Sequence, residues 1–475
     1  MWPISLAEDD RRGERGLALE FVLACSGTRG DCEPSVAVGR ELQRRGHQVR
    51  IAIPPNLVEF AESAGLDAVA YGPNADQLWT ADFFRNFSRR FFRKFWTVRE
   101  PIKIMQELWQ PVMLYWGDMD AVLTPLAKGA DLLCAGLFFQ GVAVNVAEYY
   151  DIPLATLDYF PVRPNLRTAP PFIPAPLFKW GFAAYELFGC WMNRKPEDAQ
   201  RLRLGLPRTR KSSTRRLAEL GALEIQTYDE LLFPGLKEDW ADLHETRPFV
   251  GTLSMGLSTD IDDEVAAWIS AGTPPICFGF GSMPLESAAD TVTMIGEVCA
   301  QLGERALICS GWTDYSEGPQ FDHVKVVGPV SYERIFPMCR AVVHHGGSGT
   351  TAAALRAGVP SLILWMAGDQ PFWAAQLKRL RVGTGRRLIS TKPEQLLSDL
   401  RQICTPEYEA RARSLGARMI PRAESVSRAC DHLEAFARKR QPSKVRKAGA
   451  SDQADNLRSL ADGRAVADDL RHRPA

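Results

Sequence analysis

Val342-Val343-His344-His345-Gly346-Gly347-Ser348-Gly349-Thr350-Thr351 runs from an apolar strand through a glycine-rich turn into the start of a helix. A strand feeding a helix in this way is the building unit of a parallel α/β sheet. A turn of this composition can set backbone N–H groups and a positive helix end against a phosphate. Gly346, Gly347 and Gly349 are expected to permit close approach and positive φ, and His345 to add a ring donor aimed the same way. Further on, Asp369 and Gln370 follow a second apolar strand, Pro360-Ser361-Leu362-Ile363-Leu364-Trp365. An acceptor beside a donor/acceptor suits vicinal sugar hydroxyls. Together the two loops suit a diphosphate joined to a sugar.

Outward from this stretch the same alternation recurs. Leu17 to Cys25 reads as a buried strand, Ser26-Gly27-Thr28-Arg29-Gly30-Asp31 as a polar turn, and the next segment as a helix ending at Gly46. Val49 to Ile53 forms the second strand. Strands follow at 131–136 and 153–157, with a helix from Val142 to Tyr150 between them. A second series starts at Pro275 and continues at 306–309 and 324–327. Two such series predict two Rossmann-like domains. The boundaries read as a disordered extension over 1–17, a first domain over 18–235, a linker region over 236–273, a second domain over 274–438, and a disordered polar tail over 439–475.

A chain of 475 residues exceeds one ordinary core, which also favours two domains. Lys plus Arg and Asp plus Glu balance at 57 each, which argues against nucleic acid as a partner. The ten cysteines are scattered without C-x-x-C pairs or metal spacing, so buried thiols in a reducing compartment are expected. The first seventeen residues are too charged for a signal peptide, and the apolar stretch Phe172 to Trp191 is broken by prolines and charges. A cytoplasmic protein, peripheral on the inner face of the plasma membrane at most, is the expectation. Two D-x-D patterns, Asp118-Met119-Asp120 and Asp260-Ile261-Asp262, read as solvated helix or linker carboxylates rather than a metal site.

The run H-H-G-G-x-G-T-T, then A-G-V-P, then D-Q-P resembles the donor motif of inverting glycosyltransferases of the sterol and vancomycin type. That resemblance implies the GT-B architecture, two Rossmann-like domains facing a cleft. It implies that Ser282, His345, Gly347, Ser348, Gly349 and Thr350 hold the donor diphosphate, and that Asp369 and Gln370 hold the sugar. Where plant relatives carry a base-stacking Trp, Val327 aligns here, so base recognition does not carry over. In many such enzymes a His in the first βα turn is the base. Here Gly30-Asp31-Cys32-Glu33-Pro34 puts a carboxylate there, as in the sterol and vancomycin-type branches, where Asp is the proposed base. Asp31 is therefore the catalytic candidate, although Asp just before a helix also caps it. Arg29 stands open between neutralising the leaving group and pairing with a surface acid. No metal or other cofactor is expected, the nucleoside-diphosphate sugar (dTDP- or UDP-linked) entering as co-substrate.

Residues 83–99 interleave Phe87, Phe91, Phe95 and Trp96 with Arg89 and Arg93. Two interpretations stand for such a helix: it lies on an anionic membrane, or it packs its aromatic stripe into the first domain. G-T-R-G-D-x-E-P, Asn145 to Pro153 and Ala271 to Ile276 resemble mycobacterial glycolipid glycosyltransferases acting on glycopeptidolipids and phenolic glycolipids. The expected activity is inverting, metal-independent transfer of a hexose or deoxyhexose, rhamnose favoured, to a hydroxyl of a lipid-linked acceptor. A sterol or other natural-product acceptor, or a catalytically inactive nucleotide-sugar-binding protein, is the alternative. An NAD-dependent dehydrogenase is disfavoured because the first βα turn lacks G-x-G-x-x-G.

Overall fold

The computed structural model describes residues 18–74, 99–163, 165, 167, 168, 174–281, 287–311, 313, 315 and 318–439. Ser282, the aromatic and basic residues Phe87, Arg89, Phe91, Arg93, Phe95 and Trp96, and the stretches 1–17 and 440–475 lie outside the described residues.

The first domain holds β1 (Glu20–Ala24), β2 (Gln48–Ile53), β3 (Asp67–Ala70), β4 (Leu132–Ala135), β5 (Leu154–Asp158) and β6 (Leu223–Gln226). Its helices, single turns aside, are α1 (Arg29–Arg44), α2 (Val58–Ser63), α3 (Arg99–Leu126), α4 (Gln140–Tyr150), α5 (Ala175–Arg203) and α6 (Ser213–Glu219). The second domain has β7 (Ile276–Gly279), β8 (Ala306–Cys309), β9 (Val324–Val327), β10 (Ala341–His344), β11 (Ser361–Trp365) and β12 (Gly383–Arg387). Around them lie α7 (Asp262–Ser270), α8 (Ala288–Leu302), α9 (Ser348–Arg356), α10 (Gln370–Leu380), α11 (Pro393–Ile403), α12 (Pro406–Gly416) and α13 (422–439).

Every strand pair is parallel, in the orders β3-β2-β1-β4-β5-β6 and β12-β11-β10-β7-β8-β9. Counted from its own first strand, each sheet has the doubly wound order 3-2-1-4-5-6. Helices cover both faces, so the inner strands read as continuous apolar runs rather than alternating ones. In the first sheet Phe21, Leu23, Ile51 and Ile53 pack toward Val36, Val38 and Leu42 of α1. Val22, Ala24 and Ala52 face the other way, toward Trp116 and Met119 of α3 and Val142 of α4. The two-domain, Rossmann-like expectation holds.

Two expectations need correction. Residues up to 438 were assigned to the second domain, yet α13 crosses back to the first. Val426, Ala429, Cys430 and Leu433 join the core of β1 and α1, and Arg45 Nη1 reaches Asp431 at 2.6 Å and Glu434 at 3.0 Å. The D-x-D carboxylates are not all solvated, because Asp120 and Asp262 are buried. They are satisfied by protein donors. Asp120 accepts from Gln200 Nε2 at 2.8 Å and pairs with Arg203, and Asp262 accepts from Ser331 N at 2.8 Å and Thr259 N at 2.8 Å. From Ala175 the chain forms α5, a helix of 29 residues.

The domains meet through aromatic rings. Phe160, after β5, sits 5.2 Å from Phe372 and 6.3 Å from Trp373 on α10, and Trp373 stands 5.3 Å from Phe233. This contact brings the strand ends of the two sheets to one cleft, where ligands of open α/β sheets bind. No described helix is long and apolar enough to cross a membrane. All ten cysteines are unpaired thiols, eight of them buried.

Candidate active site

In the first sheet the strand order reverses between β1 and β4, and the β1–α1 turn stands at that point. Thr28 is the N-cap of α1, and its backbone N–H and its hydroxyl both donate to Asp31 Oδ2, at 2.7 Å and 2.8 Å. Gly27 takes φ +116, and a Cβ there would fall 2.5 Å from Asp31 Oδ2, so only glycine lets the carboxylate fold back. Asp31 thus stands not before the helix but as the third residue of α1, where it supports the cap by accepting from Thr28. Its carboxyl also lines the cleft, together with Tyr159. Burial pushes the Asp31 pKa above the ordinary carboxylate range, while hydrogen bonds from Tyr159 and Thr28 pull it back. Arg29 pairs with Glu33 at 3.6 Å and stacks over Phe60 at 4.6 Å, the surface pairing that was one of its two options.

The matching turn of the second sheet follows β10. Gly346 takes φ +96, and a Cβ there would lie 2.7 Å from Ile363 Cγ2. Gly347, by contrast, caps α9 with φ −60 and ψ 143, and Gly349 lies inside the helix, so positive φ is confined to Gly346. α9 opens at Ser348, two residues earlier than the sequence suggested. Its first N–H groups lack intrahelical acceptors, and Gly347, Ser348, Gly349 and Thr350 line the cleft around them. The His345 ring fits between two glycines, since a Cβ at Gly281 would be 3.0 Å from Cε1 and one at Gly347 2.6 Å from Nε2. Nδ1 of His345 has no hydrogen-bond partner among the described residues. Burial lowers the His345 pKa to about 4, partly opposed by the Gly279 carbonyl, so the ring is neutral at pH 7. His344 is buried behind it and accepts from Gly346 N at 3.1 Å through Nδ1, a packing role.

After β11, Asp369 and Gln370 serve different ends. Asp369 lines the cleft, and its Oδ2 accepts from Trp373 Nε1 at 2.7 Å. Desolvation pushes its pKa up to about 6, against the Trp373 bond and with help from the charge of Asp31. Gln370 is buried, and its Oε1 accepts from Met366 N at 2.8 Å and Ala367 N at 3.2 Å, fixing the loop that presents Asp369.

The cleft is a single cavity of about 2160 Å³ lined from both domains, by Asp31, Tyr159, His345, Ser348, Asp369 and Phe160 among others. Asp31, Asp369 and Tyr159 are close enough to shift one another's titration. A carboxylate from each domain thus lines the cavity that the N-terminus of α9 also faces. Sequence reasoning missed Tyr159, although its place directly after β5 is the signal that could have found it. Among the described residues no group of three or more His, Cys, Asp or Glu is placed to hold a metal ion.

Gly346→Ala should destabilise the protein by about 1–3 kcal/mol through the forced left-handed backbone and weaken nucleoside-diphosphate binding. Gly349→Ala, whose Cβ would meet nothing within 4 Å, should melt with the wild type. Thermal melts and calorimetric titration with thymidine and uridine diphosphate check both.

Family models match both halves: the glycosyltransferase family 28 N-terminal domain over residues 21–123, and the erythromycin biosynthesis protein CIII-like C-terminal domain over residues 312–433. An uncharacterised glycosyltransferase of Mycobacterium tuberculosis is 53% identical over 89% of this chain and 100% of its own length. The chain belongs to this glycosyltransferase family. A sterol 3-beta-glucosyltransferase of Arabidopsis thaliana is 27% identical over 87% of this chain and 67% of its own. Among solved structures, the calicheamicin glycosyltransferase CalG4 superposes with a TM-score of 0.64 at 17% identity, covering 90% of this chain and 100% of that one. The spinosyn rhamnosyltransferase SpnG gives 0.59 at 18% identity, over 87% and 100%, and VinC in complex with dTDP gives 0.52 at 18%, over 89% and 100%. These likenesses make the fold GT-B. The protein is a glycosyltransferase.

Proposed function

We propose that this glycosyltransferase moves a hexose or deoxyhexose, rhamnose favoured, from a dTDP- or UDP-linked sugar to a hydroxyl of a lipid-linked acceptor, with inversion and without a metal. The observation that carries this reading is that Asp31 and Asp369, one carboxylate per domain, line one cavity with the N-terminus of α9 and feel each other's charge. The diphosphate would sit on the free N–H groups of α9 with the ring of His345 beside it. Its developing negative charge on departure would meet those preorganised donors. Asp369 would hold the sugar hydroxyls on the loop that Gln370 fixes. Asp31 would take the acceptor proton, its raised pKa making it a better base than an exposed aspartate.

The acceptor half of the cavity carries Phe138, Phe139, Phe178, Phe182 and Leu177, which suits an apolar acceptor. The sterol-glucosylating relative is consistent with such chemistry, and the rhamnosyl and dTDP proteins of the same fold with the donor. A membrane-facing cytoplasmic location follows from the same reading. Metal independence is supported by the engagement of Asp120 and Asp262 with protein donors.

A panel of dTDP- and UDP-sugars, incubated with the protein and a lipid extract and followed by mass spectrometry, tests the reading. Sugar transfer from one donor, lost in His345→Ala, is expected. Binding of a donor with no transfer to any lipid or soluble acceptor would favour a catalytically inactive binding protein.

A further inference from the structure

Helix α5 carries an apolar row that is left exposed among the described residues. Leu177, Trp180, Ala184, Leu187 and Trp191 follow at spacings of three and four, which stacks them on one face. Trp180 is 78% exposed, Leu187 71%, Leu177 63% and Trp191 61%. The row continues three and four residues on into exposed Arg194 and Lys195. The loop after α5 adds exposed Arg208 and Arg210, and Cys190 Sγ donates to the Arg210 carbonyl at 3.5 Å, which holds that loop beside Trp191. Lys195, Arg208 and Arg210 carry no ion pair among the described residues, and Arg194 has only Asp198 at 3.9 Å. Over the 18 helical steps from 177 to 195 the row runs about 27 Å.

The same helix forms the lip of the cavity. Leu177, Trp180, Ala184 and Tyr185 are exposed and also line it, whereas Leu187 and Trp191 do not.

The geometry points to α5 as the surface on which the protein seats itself on an anionic phospholipid bilayer, with the cavity mouth opening at the lipid. Tryptophans at an apolar–polar boundary and cations at the headgroups are what such a surface requires. A second copy fits worse. Parallel pairing of two α5 rows would bring the cationic ends together, and antiparallel pairing would set them on the apolar end of the partner row. Closing the row with a protein would also close the cavity lip. A bilayer leaves the mouth facing the phase in which a lipid-linked acceptor resides. This inference rests on the lipid-acceptor reading above, and it deepens that reading by naming the element that would meet the lipid.

The test is co-sedimentation with vesicles of phosphatidylcholine and phosphatidylglycerol in equal parts, against phosphatidylcholine alone. The full chain should bind the mixed vesicles and bind the neutral ones weakly. Leu187→Glu with Trp191→Glu, both outside the cavity, should lower binding by about tenfold or more, and Arg208→Glu with Arg210→Glu should also lower it. Thymidine and uridine diphosphate titrated into the same samples should bind equally in all variants, which shows that they are folded. Wild-type protein left in the supernatant, or variants that bind like wild type, would overturn the docking surface while leaving the donor site standing. Loss of nucleotide binding with vesicle binding intact would strike the transferase reading instead. A dimer dissociated by Leu187→Glu and Trp191→Glu, with no vesicle binding, would give the face to a second copy and overturn the inference.

Discussion

Replacing Asp31 by Asn will cut the transfer rate by about 10²–10⁴-fold while leaving nucleoside-diphosphate affinity unchanged. The amide keeps an oxygen for the Thr28 donors, so the α1 cap survives and the loss is one of chemistry. Rate and binding measured on the same preparation check this, and a loss of both together would make Asp31 structural. The pH profile adds a second mark. Asp31 must be ionised to accept a proton, so activity falls as pH drops through its pKa, which burial has raised. The Tyr159 hydrogen bond favours the ionised form. Tyr159→Phe should therefore raise the pKa further and move the acid limb of kcat/KM to higher pH, with the plateau retained. Burial pushes Asp369 up as well, to about 6, and the charge of Asp31 adds to that rise, so the limb belongs to the pair. Its displacement in Tyr159→Phe is what singles out Asp31.

Arg216→Ala should destabilise the first domain by about 3–5 kcal/mol, because it takes the guanidinium from the buried carboxylate of Glu197. The guanidinium of Arg216 is buried between α4, α5 and α6, where it pairs with Glu197, reaches Glu148 at 2.8 Å and donates to Asn145 Oδ1 at 2.6 Å. Arg201 shares the same partners, reaching Glu148 at 2.6 Å and Asn145 Oδ1 at 2.9 Å. Burial already raises the Glu197 pKa against the pull of Arg216 and Arg201. A loss of this size corresponds to a fall of roughly 10 °C in the melting of a domain of this length. Thermal denaturation followed by circular dichroism measures it, and an unchanged melt would mean that water replaces the guanidinium.

That cluster marks where sequence reasoning stopped. Asn145 and Glu148 stood out within a family-like motif, but their task, holding Arg201 and Arg216 across three helices, depends on contacts tens of residues apart. The strands were legible because buried parallel strands are short unbroken apolar runs between turns, as in Ile276–Gly279 and Ala306–Cys309. Helix α5 was not, because apolar residues lie on both of its sides. Met192 and Gly189 are buried while Leu187 and Trp191 are exposed, so no single amphipathic face emerges. The return of α13 to the first domain left no local trace either, since an amphipathic helix does not say which core it covers.

The candidate site was legible wherever backbone geometry dictates residue type, as at Gly346, or wherever a carboxylate stands where a strand-to-helix turn enters its helix, as at Asp31 and Asp369. The division of labour between Asp369 and Gln370 was not, because both residues have the chemistry to hold hydroxyls. Only the hydrogen bonds to Met366 and Ala367 show that the Gln370 oxygen serves the loop.

The anomeric configuration of the first product isolated, read from its proton NMR coupling constants against those of the donor, tests most directly whether Asp31 acts as a base opposite the leaving group. Inversion at the anomeric carbon is predicted. Retention would contradict the account, because a retaining transfer does not place a base on the face opposite the departing diphosphate.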